Sequence, residues 1–296
     1  MATIEADLDR VLALAKSQRP DPEGWSLAVD RSWLQGSFFR AGVASLLHAR
    51  SDGQLGAFAC VCEPAPEASG PIMVTSMLQP GEEHLWPEQL EWIEERIAEA
   101  APTPAQIVSE NLTDAETRRW AAAGYDLVFE ELAMECSLAG DLPPVRWPPG
   151  TAILEWDAGA PSASFEVYQA AFRSRPGFPG WSQSEWIDSL TSEEIFLPSA
   201  SFCAVHDAKP FGFVVCGTGW IGQVGVDPGY RRMGLATALV TEARARMRAL
   251  GIGVAYLHVN RNNPAGLATW QHLGWRECGR RGRLERAVTS DATDTI

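Results

Sequence analysis

The chain has 296 residues, of which 46% are hydrophobic and 21% charged, enough for two globular domains of ordinary size. Its net charge of −14 excludes a general affinity for DNA or RNA, which are held by a basic face. No apolar run approaches the roughly 18 residues of a membrane span, and the acidic opening MATIEADLDR lacks the basic-then-apolar order of a signal peptide. The expectations are a cytoplasmic protein, monomer or homodimer, with no nucleic-acid or membrane partner. Cys60, Cys62, Cys136, Cys203, Cys216 and Cys278 form no CxxC pair, so reduced thiols and no metal are expected.

The charge is unevenly spread. Residues 1–150 hold 10 basic and 24 acidic side chains, residues 151–296 hold 14 of each. The surplus acids keep a surface soluble, or concentrate a cationic substrate.

In chain order, a helix is predicted over Asp7–Ser17 and a strand over LGAFACV, residues 55–61. Met77-Leu78-Gln79-Pro80 then leads into GEEHLWPEQLEW, and a short helix from Ala115 carries Trp120 and stops at Gly124-Tyr125. The stretch AGDLPPVRWPPG, residues 139–150, has four prolines and two glycines and can continue neither a helix nor a central strand. It divides the chain into a first domain, 1–140, a linker, 141–150, and a second domain, 151–296.

In the second domain a helix is expected over Ser162–Arg173, and strands over Phe202–His206, Phe211–Cys216 and Trp220–Val226. A long helix runs from about Gly234 to Leu250, with Leu235, Leu239, Ala243, Met247 and Leu250 on one stripe. Gly251 stops it, Val254–Val259 reads as a buried strand, a helix follows Pro264, and a last strand begins near Trp275. AVTSDATDTI at the end reads as a frayed tail.

The two halves are related. Ala115, Trp120, Gly124 and Tyr125 recur as Ala265, Trp270, Gly274 and Trp275, and LGAFACV resembles FGFVVCG at 211–217. The chain reads as a tandem repeat of one α/β domain.

The most informative stretch is GWIGQVGVDPGYRRMGLATALVTEARARMRALG, residues 219–251. A strand ends at Val226, turns at Asp227-Pro228-Gly229, and enters a long helix through Arg231, Arg232, Met233, Gly234, Leu235 and Ala236. The first amides of a helix have no partner inside it and carry partial positive charge. A pyrophosphate can sit on them if side chains there are small, as Gly234 and Ala236 are.

These residues resemble the acyl-CoA signature of the GCN5-related N-acetyltransferase (GNAT) superfamily, Gln/Arg-x-x-Gly-x-Gly/Ala after a strand ending Val-x-Pro. Downstream, LHVNRNNPAGLATWQHLGWRE, residues 257–277, resembles the family's strand-Asn-x-x-Asn-helix element. The resemblance implies two tandem GNAT-like domains, each a mixed, mostly antiparallel sheet flanked by helices. It further implies acetyl-CoA as cosubstrate and a small-molecule amine such as an antibiotic, amino sugar or other metabolite as acceptor. The tandem layout with one active half also resembles mycothiol synthase, which acetylates a cysteinyl amine. A CoA-binding regulator without catalysis is a further alternative; an aminoacyl transferase acting with tRNA would need a basic tract that is absent.

By resemblance, Val224 and Val226 offer backbone to the thioester, the 231–236 loop holds pyrophosphate, and Asn260 and Asn263 lie beside pantetheine or the adenosine phosphates. Asn263 also suits a helix N-cap. Position 270 departs from the family: tryptophan replaces the tyrosine whose hydroxyl protonates the leaving thiolate, and indole N–H has no accessible acid pKa. Trp270 is then a hydrogen-bond donor or plain packing; Tyr230 is a possible substitute acid.

No base is evident among Glu166, Glu185, Asp188 and Gln223, and water can serve instead. Phe178, Trp181 and Trp186 are candidate walls of the acceptor site or core residues. No cysteine has a recognisable base partner, so direct attack in a ternary complex is expected. In the first domain, aligning Pro80 with Pro228 places Glu83 at the Arg231 position and Trp86 at the Gly234 position, a combination hostile to pyrophosphate. That domain is expected to bind no CoA and to serve as scaffold or as one wall of the cleft.

Overall fold

In the computed structural model of the chain, the described residues are 2–18, 31–38, 43–64, 70–100, 103–174, 178–192 and 195–286. The expected frayed tail, 287–296, lies outside them. The chain forms two compact units, Met1–Leu132 with Cys278–Ile296, and Ala133–Glu277. They are therefore not contiguous halves divided at 141–150. Residues 141–148 are irregular coil inside the second unit, and the last strand of the chain belongs mainly to the first.

The first unit opens with α1 (Ala2–Ser17) and α2 (Arg31–Phe38), followed by β1 (Val43–Ala49), β2 (Leu55–Cys62) and β3 (Ile72–Leu78). Then come α3 (Trp86–Glu99), β4 (Ala105–Ser109), α4 (Asp114–Ala122) and β5 (Tyr125–Ser137), whose last residues, from Ala133, belong to the second unit. β1–β2–β3 is antiparallel, and β3 pairs with β4 in parallel. β2 is buried along its whole length, which explains why LGAFACV has no polar alternation: helices cover both of its faces.

The second unit contains β6 (Thr151–Glu155), α5 (Ala160–Phe172), α6 (Gln183–Thr191), β7 (Phe202–His206), β8 (Lys209–Gly217) and β9 (Trp220–Val226). α7 (Leu235–Ala249), β10 (Val254–Asn260) and α8 (Pro264–His272) complete it, and the chain then runs into β11 (Arg276–Arg286). β6–β7–β8–β9 is antiparallel and β10 joins β9 in parallel. Both units thus carry a mixed, mostly antiparallel sheet with flanking helices. The expected apolar stripe holds at Leu235, Leu239, Ala243 and Met247, all at most 1% exposed, but Leu250 is 53% exposed. Leu250 is the C-cap, past the last helical residue, where the stripe no longer faces the sheet.

The repeat is visible in local geometry. α4 and α8 span equivalent residues 150 positions apart, capped by the side chains of Thr113 and Asn263 and followed by Gly124 and Gly274, each at φ 84°. On β2 and on β8 a glycine lies under the leucine at the next helix start. A Cβ on Gly56 would come within 3.0 Å of Leu85 Cδ1, and one on Gly212 within 2.8 Å of Leu235 Cδ2. Glycine is needed there because the helix packs directly on the strand.

β11 explains the uneven charge. It pairs antiparallel with β4, burying Leu284 completely, and lays its arginines against the acids of the first unit. Arg280 bonds to Glu130 and Asp114, Arg281 to Glu131 and Glu110, and Arg286 to Glu94. Burial raises the Glu110 carboxyl despite Arg281 beside it. Several of the surplus acids of residues 1–150 therefore answer a basic strand from the far end of the chain.

Candidate functional site

The site is built at the carboxyl end of β9. β8 opposes β9 from Gly212↔Val226 to Gly217↔Trp220, with a bulge at Val215/Cys216 that leaves Gly222 as the extra residue. On its other edge β9 pairs with β10 only at Tyr256↔Trp220 and Leu257↔Ile221, so the two strands part beyond Ile221. The Asp227 amide donates to Phe211 O at 2.9 Å. Alternation along the strand turns the amides of Val226 and Val224 to the opposite edge, into the fork.

The chain then turns. Asp227 Oδ1 accepts from Gly229 N–H at 2.8 Å, Arg232 takes φ 63° and Gly234 φ 78°. Left-handed backbone is tolerated by glycine and costly for arginine, so the loop is held in a strained form at Arg232. α7 starts without a side-chain cap, and its first bond runs from Ala238 N–H to Gly234 O. The amides of Leu235, Ala236 and Thr237 precede that bond and face outward from the helix start. A Cβ built on Gly234 meets no atom within 4 Å, so nothing packs against the glycine that precedes these amides. Arg231, Arg232 and Met233 are exposed around it, whereas the Leu235 side chain is buried in the core. Arg231 Nη2 reaches Ala171 O at 3.4 Å, tying the loop to the end of α5.

Asn260 closes β10, its side-chain oxygen accepting from Asn262 N–H at 2.9 Å, and Asn263 caps α8 by accepting from Gly266 N–H at 3.0 Å. The capping reading of Asn263 is thus realised. Trp270 is half-buried on α8. Tyr230 lies edge-on against Phe211 with Lys209 above it.

Among the base candidates, Glu185 is held in a capping box, accepting from Ser182 N–H and Oγ at 2.8 and 2.7 Å. Those bonds keep its carboxyl below the usual range, which makes it a weaker proton acceptor. Glu166 is exposed on α5, and Asp188 is exposed on α6. Gln223 lies on β9 near the fork and accepts from Trp186 Nε1 at 3.2 Å. Trp186 is fully buried, Phe178 packs on Tyr168, and Trp181 is 38% exposed.

Sequence reasoning missed His258. It follows the last β9–β10 rung, its ring 4.6 Å from Trp220 in an edge-to-face contact. An imidazole in the otherwise apolar run VAYLHV was the available signal.

The first unit lacks this opening. Leu85 and Leu235 do the same job over Gly56 and Gly212, so Trp86 corresponds to Ala236, not to Gly234 as the proline alignment has it, because the first loop is two residues shorter. Trp86 lies edge-on against Trp120 at 4.9 Å, with the Arg119 guanidinium 5.2 Å from its ring.

The sequence pattern described as the acetyltransferase (GNAT) family matches residues 165–275, all within the second unit. This chain carries a GNAT-family domain. A mycothiol acetyltransferase of Streptomyces avermitilis is 29% identical over 183 residues, 55% of this chain and 59% of that protein, so the match spans less than two thirds of the relative. A GCN5-related N-acetyltransferase from Sphaerobacter thermophilus shares the fold of the chain with a TM-score of 0.70 and 22% identity, over 95% of this chain and 90% of that one. A tandem GNAT protein from the clavulanic acid biosynthesis pathway does so with a TM-score of 0.61 and 17% identity, over 99% and 96%. The fold is that of tandem GNAT proteins, and the GNAT domain lies in the unit that keeps the open helix start.

Proposed function

We propose that the protein is an acyl-CoA-dependent N-acetyltransferase that binds acetyl-CoA on the second unit and acetylates a small-molecule amine within a ternary complex. The observation that carries this reading is the uncapped start of α7, with nothing packed against Gly234 before it. The amides of Leu235 and Ala236 receive the pyrophosphate, and Arg231 and Arg232 add full charges beside it. In the fork, an amide of Val224 or Val226 donates to the thioester carbonyl as negative charge develops there.

The neutral amine attacks the carbonyl carbon, a C–N bond forms, and the C–S bond breaks as CoA departs as thiolate. A thiol pKa of about 8.5 lets that thiolate leave near neutral pH without a strong acid, which suits tryptophan at position 270. The amine's proton passes to water or to the His258 imidazole. Burial pushes the thiols of Cys60, Cys203 and Cys216 up, Cys203 to about 12, so an acetyl-cysteine intermediate is disfavoured.

The acceptor is an antibiotic, amino sugar or other amine metabolite. A second reading, acetylation of a cysteinyl amine, is favoured by the name of the Streptomyces avermitilis relative.

The test is to incubate the protein with acetyl-CoA and glucosamine, a cysteinyl-glucosamine conjugate, an aminoglycoside and tyramine, and to follow release of the CoA thiol. Release with at least one amine, lost in Gly234→Trp, supports the proposal. Tight acetyl-CoA binding without release would mark a CoA-binding regulator instead, and absence of binding would remove both.

A further inference from the structure

We infer that Gln223 selects the acceptor, donating from its side-chain amide to an oxygen beside the reacting amine, and that Trp186 is the positioning residue that orients it. The inference rests on the acetyltransferase reading and names the chemistry of its acceptor: an amine with a neighbouring hydroxyl or carbonyl, as in an amino sugar or an aminoacyl group.

The argument starts from the donor. An indole N–H can only donate, so the 3.2 Å contact from Trp186 Nε1 requires the oxygen of Gln223 at that end. The orientation of the amide is thereby decided by chemistry. Nε2, with its two N–H groups, points away. Among the described residues the bond from Trp186 is the one hydrogen bond of the Gln223 side chain.

Trp186 is rigid. It is fully buried, stacked on Tyr168 at 5.1 Å and edge-on to Phe213 at 5.7 Å, with Phe165 at 5.8 Å. An indole held in three ring contacts cannot follow a wandering partner, so it fixes Gln223 in one place.

Gln223 then stands at the fork on a nearly bare face. Its register partner Val215 and the partner of Gly225, Phe213, both belong to the core under α5 and α6, so Gln223 and Gly225 point to that side. Gly225 has no side chain, and a Cβ there would lie 2.2 Å from Phe213 Cε1. Gly222 is exposed at the bulge. From Gly222 to Gly225, Gln223 is thus the one polar side chain that β9 offers, just past the last rung with β10. A carboxamide has no basic lone pair and its oxygen is occupied, so Gln223 is a binding group, not the general base.

The experiment uses the full chain with acetyl-CoA and two primary amines on six-membered rings, glucosamine and cyclohexylamine, the second lacking oxygen. Wild type should favour glucosamine in kcat/KM. Gln223→Met should cut that preference by about three- to tenfold, the worth of one neutral hydrogen bond, with the KM for acetyl-CoA unchanged. Trp186→Phe should lose part of the same preference. In wild type the indole N–H resonance of Trp186, identified by its loss in Trp186→Phe, should exchange slowly with solvent and shift in Gln223→Met. An unchanged preference in Gln223→Met, or an unshifted resonance, would overturn the inference while leaving the acetyltransferase reading intact. Wild type that releases no CoA with any amine would remove that reading, and the inference with it.

Discussion

The starts of α3 and α7 are the same structural event with opposite outcomes. Each helix begins over a glycine, Gly56 on β2 or Gly212 on β8, roofed by Leu85 or Leu235. In the first unit the next residue is Trp86, whose ring closes on Trp120; Trp120 is 0% exposed between Trp86 and Tyr125. A shallow depression of about 390 Å³ remains, lined by Glu83, Trp86, Arg118 and Arg119 among others. In the second unit the corresponding residue is Ala236, the loop is two residues longer, and Trp270, the counterpart of Trp120, stays half-buried. One scaffold thus makes either a self-filled core or an uncapped helix start, the seat proposed for pyrophosphate. The difference lies in what a few side chains leave out.

The strongest way to break the comparison is to transplant it. Ala236→Trp should place an indole before the α7 amides and weaken acetyl-CoA binding by more than about 100-fold in calorimetry, since charge-assisted bonds to several amides are lost together. The reverse change, Trp86→Ala, should destabilise the chain by about 2–4 kcal/mol, because it uncovers Trp120 and leaves a cavity. It should nevertheless create no second acetyl-CoA site, since Glu83 remains beside the seat; denaturation and binding stoichiometry check both halves of this expectation.

A smaller effect concerns the floor of the fork. Gly225→Ala should cost about 1–3 kcal/mol, because its methyl group must displace the Phe213 ring, and differential scanning calorimetry should record a Tm lower by several degrees.

A last contrast between the units is read by pH. Burial raises the Glu116 carboxyl from 4.5 to about 7 although Ser109 Oγ donates to it at 2.9 Å. Glycine 266 stands at its place in the second unit. Because the folded pKa is the higher one, the folded state binds more protons between pH 4.5 and about 7, so this group's contribution to stability declines as pH rises through that window. Glu116→Gln should flatten the decline in urea midpoints measured across it.

Much of this was legible in the residues. Two strands of the second unit, Phe202–His206 and Trp220–Val226, are legible with their bounds in the sequence, and the α7 loop declares itself through Arg231, Gly234 and Ala236. The partition of the chain was not legible. Strand exchange at β11 depends on long-range pairing with β4 and on arginines meeting acids over 100 residues away, and no local pattern encodes such a partner. The proline-rich stretch 141–150 looked like a boundary because it stops regular structure, which is a local property. Likewise Trp86 was set against the wrong residue, since only the packing of Leu85 on Gly56 reveals the shorter loop. The Trp186–Gln223 bond and His258 at the fork are products of tertiary placement as well.

Hydrogen–deuterium exchange with and without acetyl-CoA tests the central claim most directly. The account predicts slowed exchange across residues 231–238 and none across 83–89. Protection of the α3 start, or of neither helix start, would contradict it.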